Sequence, residues 1–130
     1  MKITKVGRYN GHDGVGFDYS PETVRKSVLS SLSRLGTDHL DVVYLHDVEF
    51  VATPVKSGST AGNPLDAIEN SEEWGLSQAD AGKIFGEGDQ RILDAIRELW
   101  KLKREGMIKA VGISGMSHRG VFELYFDIYA

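Results

Sequence analysis

A helix-like segment followed within a few residues by an apolar, β-rich run occurs twice in this chain, and this order limits the available folds most. In the first unit, the Ser20 hydroxyl can cap a helix and Pro21 suits the first helical position. Apolar residues then recur at helical spacing, which predicts a helix over 21–35, and Gly36 stands where a left-handed cap is expected. The run 40–45 follows and is apolar almost throughout, which predicts a strand covered on both faces.

The second unit has the same order. Asp89 is predicted to cap a helix that ends shortly before Gly106, and the strand-like run 108–113 comes directly afterwards. A short β-prone run at 3–6 precedes both units. Strands that alternate with helices predict a parallel sheet with right-handed crossovers. The expected fold class is therefore α/β.

Two segments fit this alternation less well. Residues 52–88 are rich in Gly, Ser, Thr, Asn and acidic residues, and they are too long for an ordinary connection. We predict an inserted surface loop there, within a single domain over 1–130. Residues 121–129 alternate like a strand, whereas a regular β/α repeat would place a helix at this point, and both interpretations stay open.

The second predicted helix carries charged residues that are typical of a solvated face. These are Arg97, Glu98, Lys101, Lys103, Arg104 and Glu105.

Charge and composition narrow the class of protein. Fifteen Lys and Arg residues against nineteen Asp and Glu residues give a net charge of −4, and no basic face favours nucleic acid as a partner. The absence of cysteine excludes disulfides, thiolate metal sites and thiol catalysis. No apolar run approaches the roughly 20 residues that span a bilayer, and the first residues lack the apolar segment of a signal peptide. We therefore expect a cytoplasmic protein with no membrane partner.

Three polar residues stand at the ends of predicted strands, where α/β folds place their sites. Lys5 lies within an apolar run, and the alternative to a functional role is a strand-end lysine that reaches solvent. His46 can exchange a proton or polarise a substrate near neutral pH, or it can be a histidine satisfied by a backbone carbonyl. Ser114 can be an ordinary turn residue before a glycine.

Two further patterns carry less weight. Adjacent His/Asp pairs occur at 12–13, 38–39 and 46–47, but neighbouring residues in a strand point to opposite faces, so we expect no metal site. The glycines at 11, 14 and 16 follow the order G-x-x-G-x-G rather than the dinucleotide-binding order. They are better interpreted as part of a loop.

Four segments together resemble the aldo-keto reductases in order and spacing. They are TKVGR at 4–8, FDYS at 17–20, LGTDHLDVVYLHD at 35–47 and KREGMIKAVGIS at 103–114. The string HDVEF at 46–50 is most similar to the L-galactose and D-arabinose dehydrogenases, the branch that oxidises free sugars. The resemblance implies an eight-stranded (β/α)8 TIM barrel, of which this chain corresponds to the third strand through the fifth.

The resemblance also implies a chemistry. Members of the family transfer hydride between a nicotinamide cofactor, NAD or NADP, and a carbonyl or hemiacetal carbon, so the implied partner is a small aldose or aldehyde. Lys5 resembles the lysine that lowers the pKa of the catalytic tyrosine, and His46 resembles the histidine that orients the substrate oxygen. Ser114 resembles the serine that binds the nicotinamide carboxamide, although Gly115 stands where many members carry Asn.

The family places its catalytic aspartate and tyrosine before the third strand. The alternative hypothesis is therefore a catalytically inactive segment of a barrel that lacks these two residues. Three strands would also leave two unpaired sheet edges and one uncovered face, and we predict self-association through those edges.

Overall fold

The computed structural model describes residues 1–9, 16–53 and 83–115. The elements are strand β1, helix α1, strand β2, a short 3-10 turn, helix α2 and strand β3, which confirms the predicted α/β alternation. In that order they comprise Ile3–Val6, Pro21–Leu35, Leu40–His46, Val48–Phe50, Glu87–Arg104 and Ile108–Ser114. β2 and β3 each extend one residue further than the sequence pattern predicts, so that His46 and Ser114 are the last residues of their strands.

The three strands form one parallel sheet in the order β1-β2-β3. Lys5 pairs with Tyr44, Tyr44 pairs with Gly112, and His46 pairs with Ser114. Because the strands are parallel and paired in this register, their carboxyl ends lie at the same edge of the sheet. That edge is where the three candidate residues of the sequence analysis are found.

Local capping explains the bounds of α1. The Ser20 hydroxyl accepts a hydrogen bond from the Thr23 N–H at 3.4 Å, and Pro21 occupies the first position of the helix. At the other end, Gly36 adopts the left-handed conformation with φ 58°, and its N–H donates to the carbonyls of Leu32 and Ser33. The predicted helix over 21–35 is confirmed.

The predicted cap of α2 is wrong. The helix begins at Glu87 after Gly86, so Asp89 lies inside the first turn. The Asp89 carboxylate is buried and accepts hydrogen bonds from the backbone N–H groups of Thr53 and Phe85, each at 2.8 Å. A carboxylate at this place satisfies amide donors of the preceding chain instead of those of its own helix.

The hydrophobic core lies between one face of the sheet and the two helices. Val6 of β1 and Val43 and Leu45 of β2 point towards α1 and α2 and are fully buried. The helices contribute a continuous set of buried apolar residues at helical spacing: Val24, Val28, Leu32, Ile92, Ile96, Leu99 and Leu102. The helices thus cover one face of the sheet, and Lys5, Tyr44 and His46 lie on the other.

Glu98 contradicts the predicted solvated face of α2, because its side chain is buried. Its carboxylate accepts a hydrogen bond from Nε of Arg25 on α1 and lies 3.3 Å from Nζ of Lys101. The Nη1 and Nη2 atoms of Arg25 bind Glu105 at 2.9 and 2.7 Å. α1 thus packs over part of the charged face, and one guanidinium joins the two helices.

Most of the predicted loop at 52–88 lies outside the described residues, as do the glycines at 11 and 14 and the segment 121–129. Among the residues that the structure describes, no helix combines the length and apolar character needed to cross a membrane.

Candidate active site

The candidate residues share the face of the sheet that points away from the helices. Side chains alternate between faces along each strand, and the register sets Lys5, Tyr44 and Gly112 in one row across the sheet. His46 and Ser114 form the next row towards the carboxyl ends. From the spacing of strands and residues, the Cα atoms of Lys5 and His46 are roughly 8 Å apart.

Lys5 is exposed on this face. Within the described ranges its ammonium has no hydrogen-bond or ion-pair partner in the structure. An ammonium is a donor of up to three hydrogen bonds and a point charge, so it can stabilise a nearby anion or ionisable hydroxyl. Val6, the next residue along the strand, is fully buried under the helices and anchors the backbone that carries Lys5.

The ring of Tyr44 packs over Gly112, its neighbour in the same row. A Cβ atom on Gly112 would overlap the Tyr44 ring, so this ring lies directly against the backbone of β3. A side chain at position 112 would have to displace the ring, so the glycine allows the Tyr44 ring to lie there.

His46 is hydrogen-bonded through one ring nitrogen. Its Nδ1 lies 3.1 Å from Oγ of Ser114 and 2.9 Å from Oδ1 of Asp47. Its backbone carbonyl accepts a hydrogen bond from the hydroxyl of Tyr19, a buried residue that precedes α1. One hydrogen bond thus holds His46 at its backbone and one holds its ring, while the Asp47 carboxylate lies close to the same ring nitrogen.

Asp47 is a residue of this candidate site that the sequence analysis missed. We expected the adjacent His46 and Asp47 side chains to point apart, and for this pair that expectation is wrong. Asp47 lies beyond the end of β2 in the left-handed region, with φ 58° and ψ 51°, which folds its carboxylate back towards the imidazole. Asp is one of the few residue types that adopt this conformation readily, and that preference is the signal that could have found it.

A second contact ties Asp47 to the end of β1. The Nη1 atom of Arg8 lies 2.6 Å from Asp47 Oδ2, and the backbone N–H of Asp47 donates to the Ser114 carbonyl at 2.7 Å. Polar groups from all three strand ends therefore converge on His46 and Asp47. Among the described residues, no cluster of three or more His, Asp or Glu side chains has the form of a metal site.

The residues present fit the nicotinamide end of a dinucleotide cofactor. Ser114 ends β3 on the open face, and its hydroxyl can both donate and accept hydrogen bonds. The contact with His46 uses only part of that capacity, so a carboxamide can bind the same hydroxyl. When bound there, a nicotinamide would supply hydride donation or acceptance.

The family of the chain follows from comparison with known proteins. The Aldo/keto reductase family model matches residues 2–125. The D-arabinose 1-dehydrogenase of Saccharomyces cerevisiae is 38% identical over 112 residues, which cover 86% of this chain and 22% of that protein. The L-galactose dehydrogenase of Arabidopsis thaliana is 33% identical over 113 residues, covering 87% of this chain and 23% of that protein. The chain belongs to the aldo/keto reductase family.

The two relatives bear the names of the branch that residues 46–50 indicate, so the resemblance is confirmed. This chain spans about a fifth of the length of these relatives.

Solved structures show the same fold. The glycerol dehydrogenase of Gluconobacter oxydans matches 98% of this chain with 27% of its own, at a TM-score of 0.52 and 23% identity. The aldose reductase of Giardia lamblia matches 98% of this chain with 32% of its own, at a TM-score of 0.50 and 20% identity. The three parallel strands and their helices are part of a (β/α)8 barrel, as the sequence predicts.

Proposed function

We propose that this chain supplies part of the active site of an oxidoreductase that transfers hydride between NAD or NADP and a carbonyl or hemiacetal carbon. The observation that carries the proposal is the placement of Lys5 and His46 on one open face of adjacent parallel strands, at the carboxyl end of the sheet. Catalytic groups of (β/α)8 enzymes stand at this end of the barrel. The names of the two relatives favour an aldose as the substrate.

Each of the three residues has a role that its surroundings support. The Lys5 ammonium stabilises the ionised form of a hydroxyl placed beside it, which is how a lysine lowers the pKa of a proton-donating phenol. The His46 imidazole presents Nε2 to the oxygen of the substrate, because Nδ1 is hydrogen-bonded to the Ser114 hydroxyl. The Ser114 hydroxyl binds the carboxamide of the nicotinamide.

The test is a steady-state assay of the natural polypeptide that carries this sequence. NAD⁺ and NADP⁺ are each supplied with L-galactose, D-arabinose and other aldoses, and formation of the reduced cofactor is followed by absorbance. We expect turnover, and we expect Lys5→Met and His46→Ala to lower kcat by about 10²–10⁴-fold, the usual worth of proton transfer.

Matched controls separate the site from general effects. Lys26→Met removes an exposed lysine of α1, and His39→Ala removes a histidine at the opposite end of β2. Both variants should retain the wild-type kcat. Equal turnover of Lys5→Met, His46→Ala and wild type would contradict the proposal. A folded protein with no turnover on any aldose would favour the inactive barrel segment.

A further inference from the structure

We propose that Arg8 and Asp47 act as one uncharged pair that binds hydroxyl groups of the substrate, and that this pair selects neutral sugars over sugars that carry a carboxylate. The inference deepens the proposed function and rests on it for the reaction that follows binding. Selection between two ligands is a difference in binding. It can therefore be measured without turnover.

The pair lies beside the candidate histidine, where β1 and β2 end. Nη1 of Arg8 donates a hydrogen bond to Oδ2 of Asp47 at 2.6 Å, and Oδ1 of the same carboxylate lies 2.9 Å from Nδ1 of His46. One carboxylate therefore separates the guanidinium from the imidazole. A sugar carries hydroxyl groups on the carbons that follow its reacting carbon, so a sugar bound at His46 has hydroxyl groups within reach of this pair.

Arg8 is held in place but retains free donors. Its guanidinium carbon lies 5.6 Å from the centroid of the Phe17 ring, which stacks in turn on Phe50. A guanidinium has five N–H donors in a fixed planar arrangement, and within the part of the chain that the structure describes Asp47 is its one hydrogen-bond acceptor. The Arg8 side chain is 51% exposed. The remaining N–H groups are thus available to a ligand, and the side chain that carries them is already oriented.

The charge of the pair determines which ligand fits. A hydroxyl group both donates and accepts hydrogen bonds, so it can bind the carboxylate and the guanidinium together. A carboxylate on the ligand only accepts, and Asp47 repels it while Arg8 attracts it. The Asp47 side chain is 13% exposed, so water and salt screen its charge poorly. The pair therefore favours the hydroxyl groups of a neutral sugar.

Two matched sugars test this selection. L-galactose and L-galacturonate differ in one group, because a carboxylate replaces the C6 hydroxymethyl group in the second sugar. Isothermal titration calorimetry of the natural polypeptide measures the Kd of each. We expect wild type to bind L-galactose at least about tenfold more tightly than L-galacturonate, the worth of one hydrogen bond to a charged group.

Three variants assign the effect to the pair. Arg8→Met removes the guanidinium and should weaken L-galactose binding at least about tenfold. Asp47→Asn keeps the shape of the side chain but leaves the Arg8 charge uncompensated, so the ratio of the two Kd values should shift at least about tenfold towards L-galacturonate. Arg34→Met removes an exposed arginine from the last turn of α1 and should change neither Kd. Lys5 is present in all four proteins, so its attraction for an anion cancels in these comparisons.

Equal L-galactose binding by wild type and folded Arg8→Met would overturn the inference, and so would an unchanged Kd ratio in folded Asp47→Asn. If Asp47→Asn fails to fold, the wild-type preference decides, and equal Kd values for the two sugars overturn the inference. Failure of the proposed function gives a different result. Wild type that binds both sugars with the expected preference but turns over neither would contradict hydride transfer and support the role of the pair.

Discussion

The hydroxyl of Tyr19 donates a hydrogen bond to the backbone carbonyl of His46, while its ring lies against Gly7 at the end of β1. One buried side chain therefore touches the carboxyl ends of two neighbouring strands. Gly7 has φ 102°, and a Cβ atom there would overlap the Tyr19 ring. The position of the catalytic candidate His46 thus depends on a tyrosine that points towards the core.

Replacing Tyr19 by Phe should test the hydrogen bond alone. The ring and its packing remain, but the His46 carbonyl loses its donor, so we expect the free energy of unfolding to fall by about 1 kcal/mol. Chemical denaturation measures the change. Tyr44→Phe is the matched control, because the described structure gives the Tyr44 hydroxyl no hydrogen bond, and its stability should stay within about 0.5 kcal/mol of wild type. Equal losses in both variants would refute the role of the Tyr19 hydroxyl.

Gly7→Ala should be strongly destabilising for two reasons. The positive φ strains any residue with a Cβ, and that Cβ would collide with the Tyr19 ring. We expect a loss of at least about 2 kcal/mol in the free energy of unfolding. Gly36→Ala is the control, since Gly36 also has positive φ but no atom within 4 Å of the added Cβ, and it should lose only about 1 kcal/mol. Similar losses of stability in Gly7→Ala and Gly36→Ala would show that the collision with the Tyr19 ring adds nothing to the destabilisation.

The acid stability of the protein should depend on Asp41. A hydrogen bond from the Lys109 ammonium and another from the backbone N–H of Lys2 lower the pKa of Asp41 to about 2. The carboxyl of an unfolded chain has a pKa of about 3.9, so the folded state is favoured above that pH by an ionised Asp41. This contribution is lost as the pH falls from about 4 towards 2.

Thermal unfolding across this pH range provides the measurement. Asp41→Asn should be less stable than wild type at neutral pH and should lose less stability on acidification. Lys109→Met keeps the Asp41 carboxylate but removes the hydrogen-bond donor that is the main cause of its lowered pKa. The stability of this variant should also depend less on pH than that of wild type. An Asp41→Asn profile parallel to that of wild type would contradict the prediction.

Asp89 should control the backbone at residues 53 and 85. Its carboxylate accepts from both amides, so Asp89→Ala should speed amide hydrogen exchange at Thr53 and Phe85 by at least about tenfold. Asp94→Ala, on the same helix, removes a carboxylate whose partners among the described residues are Gln90 and Arg97, and it should leave both rates unchanged. Unaltered exchange in the Asp89 variant would show that other contacts hold these amides.

The elements that the sequence predicts correctly are those with local causes. Ser20, Pro21 and Gly36 bound α1 through contacts within a few residues of each other, and period-two alternation places His46 on a face once β2 is identified. The prediction for Glu98 is wrong because its partner Arg25 lies far away in the sequence. The prediction for Asp89 is wrong because its carboxylate accepts from Thr53, also distant in the sequence, and from Phe85 just before the helix. Asp47 was missed because its backbone leaves the strand geometry at the residue after His46.

The strand register limits where residues can be inserted into or deleted from this chain. Arg8 follows β1 and Ser114 ends β3, and both reach the pair at the end of β2. Inserting or deleting one residue within a strand would move its end by about 3.3 Å and turn its side chains to the other face. Such a change leaves the hydrophobic composition intact and still removes a partner from His46 or Asp47. We therefore expect natural length variation in the connections and none in the strands.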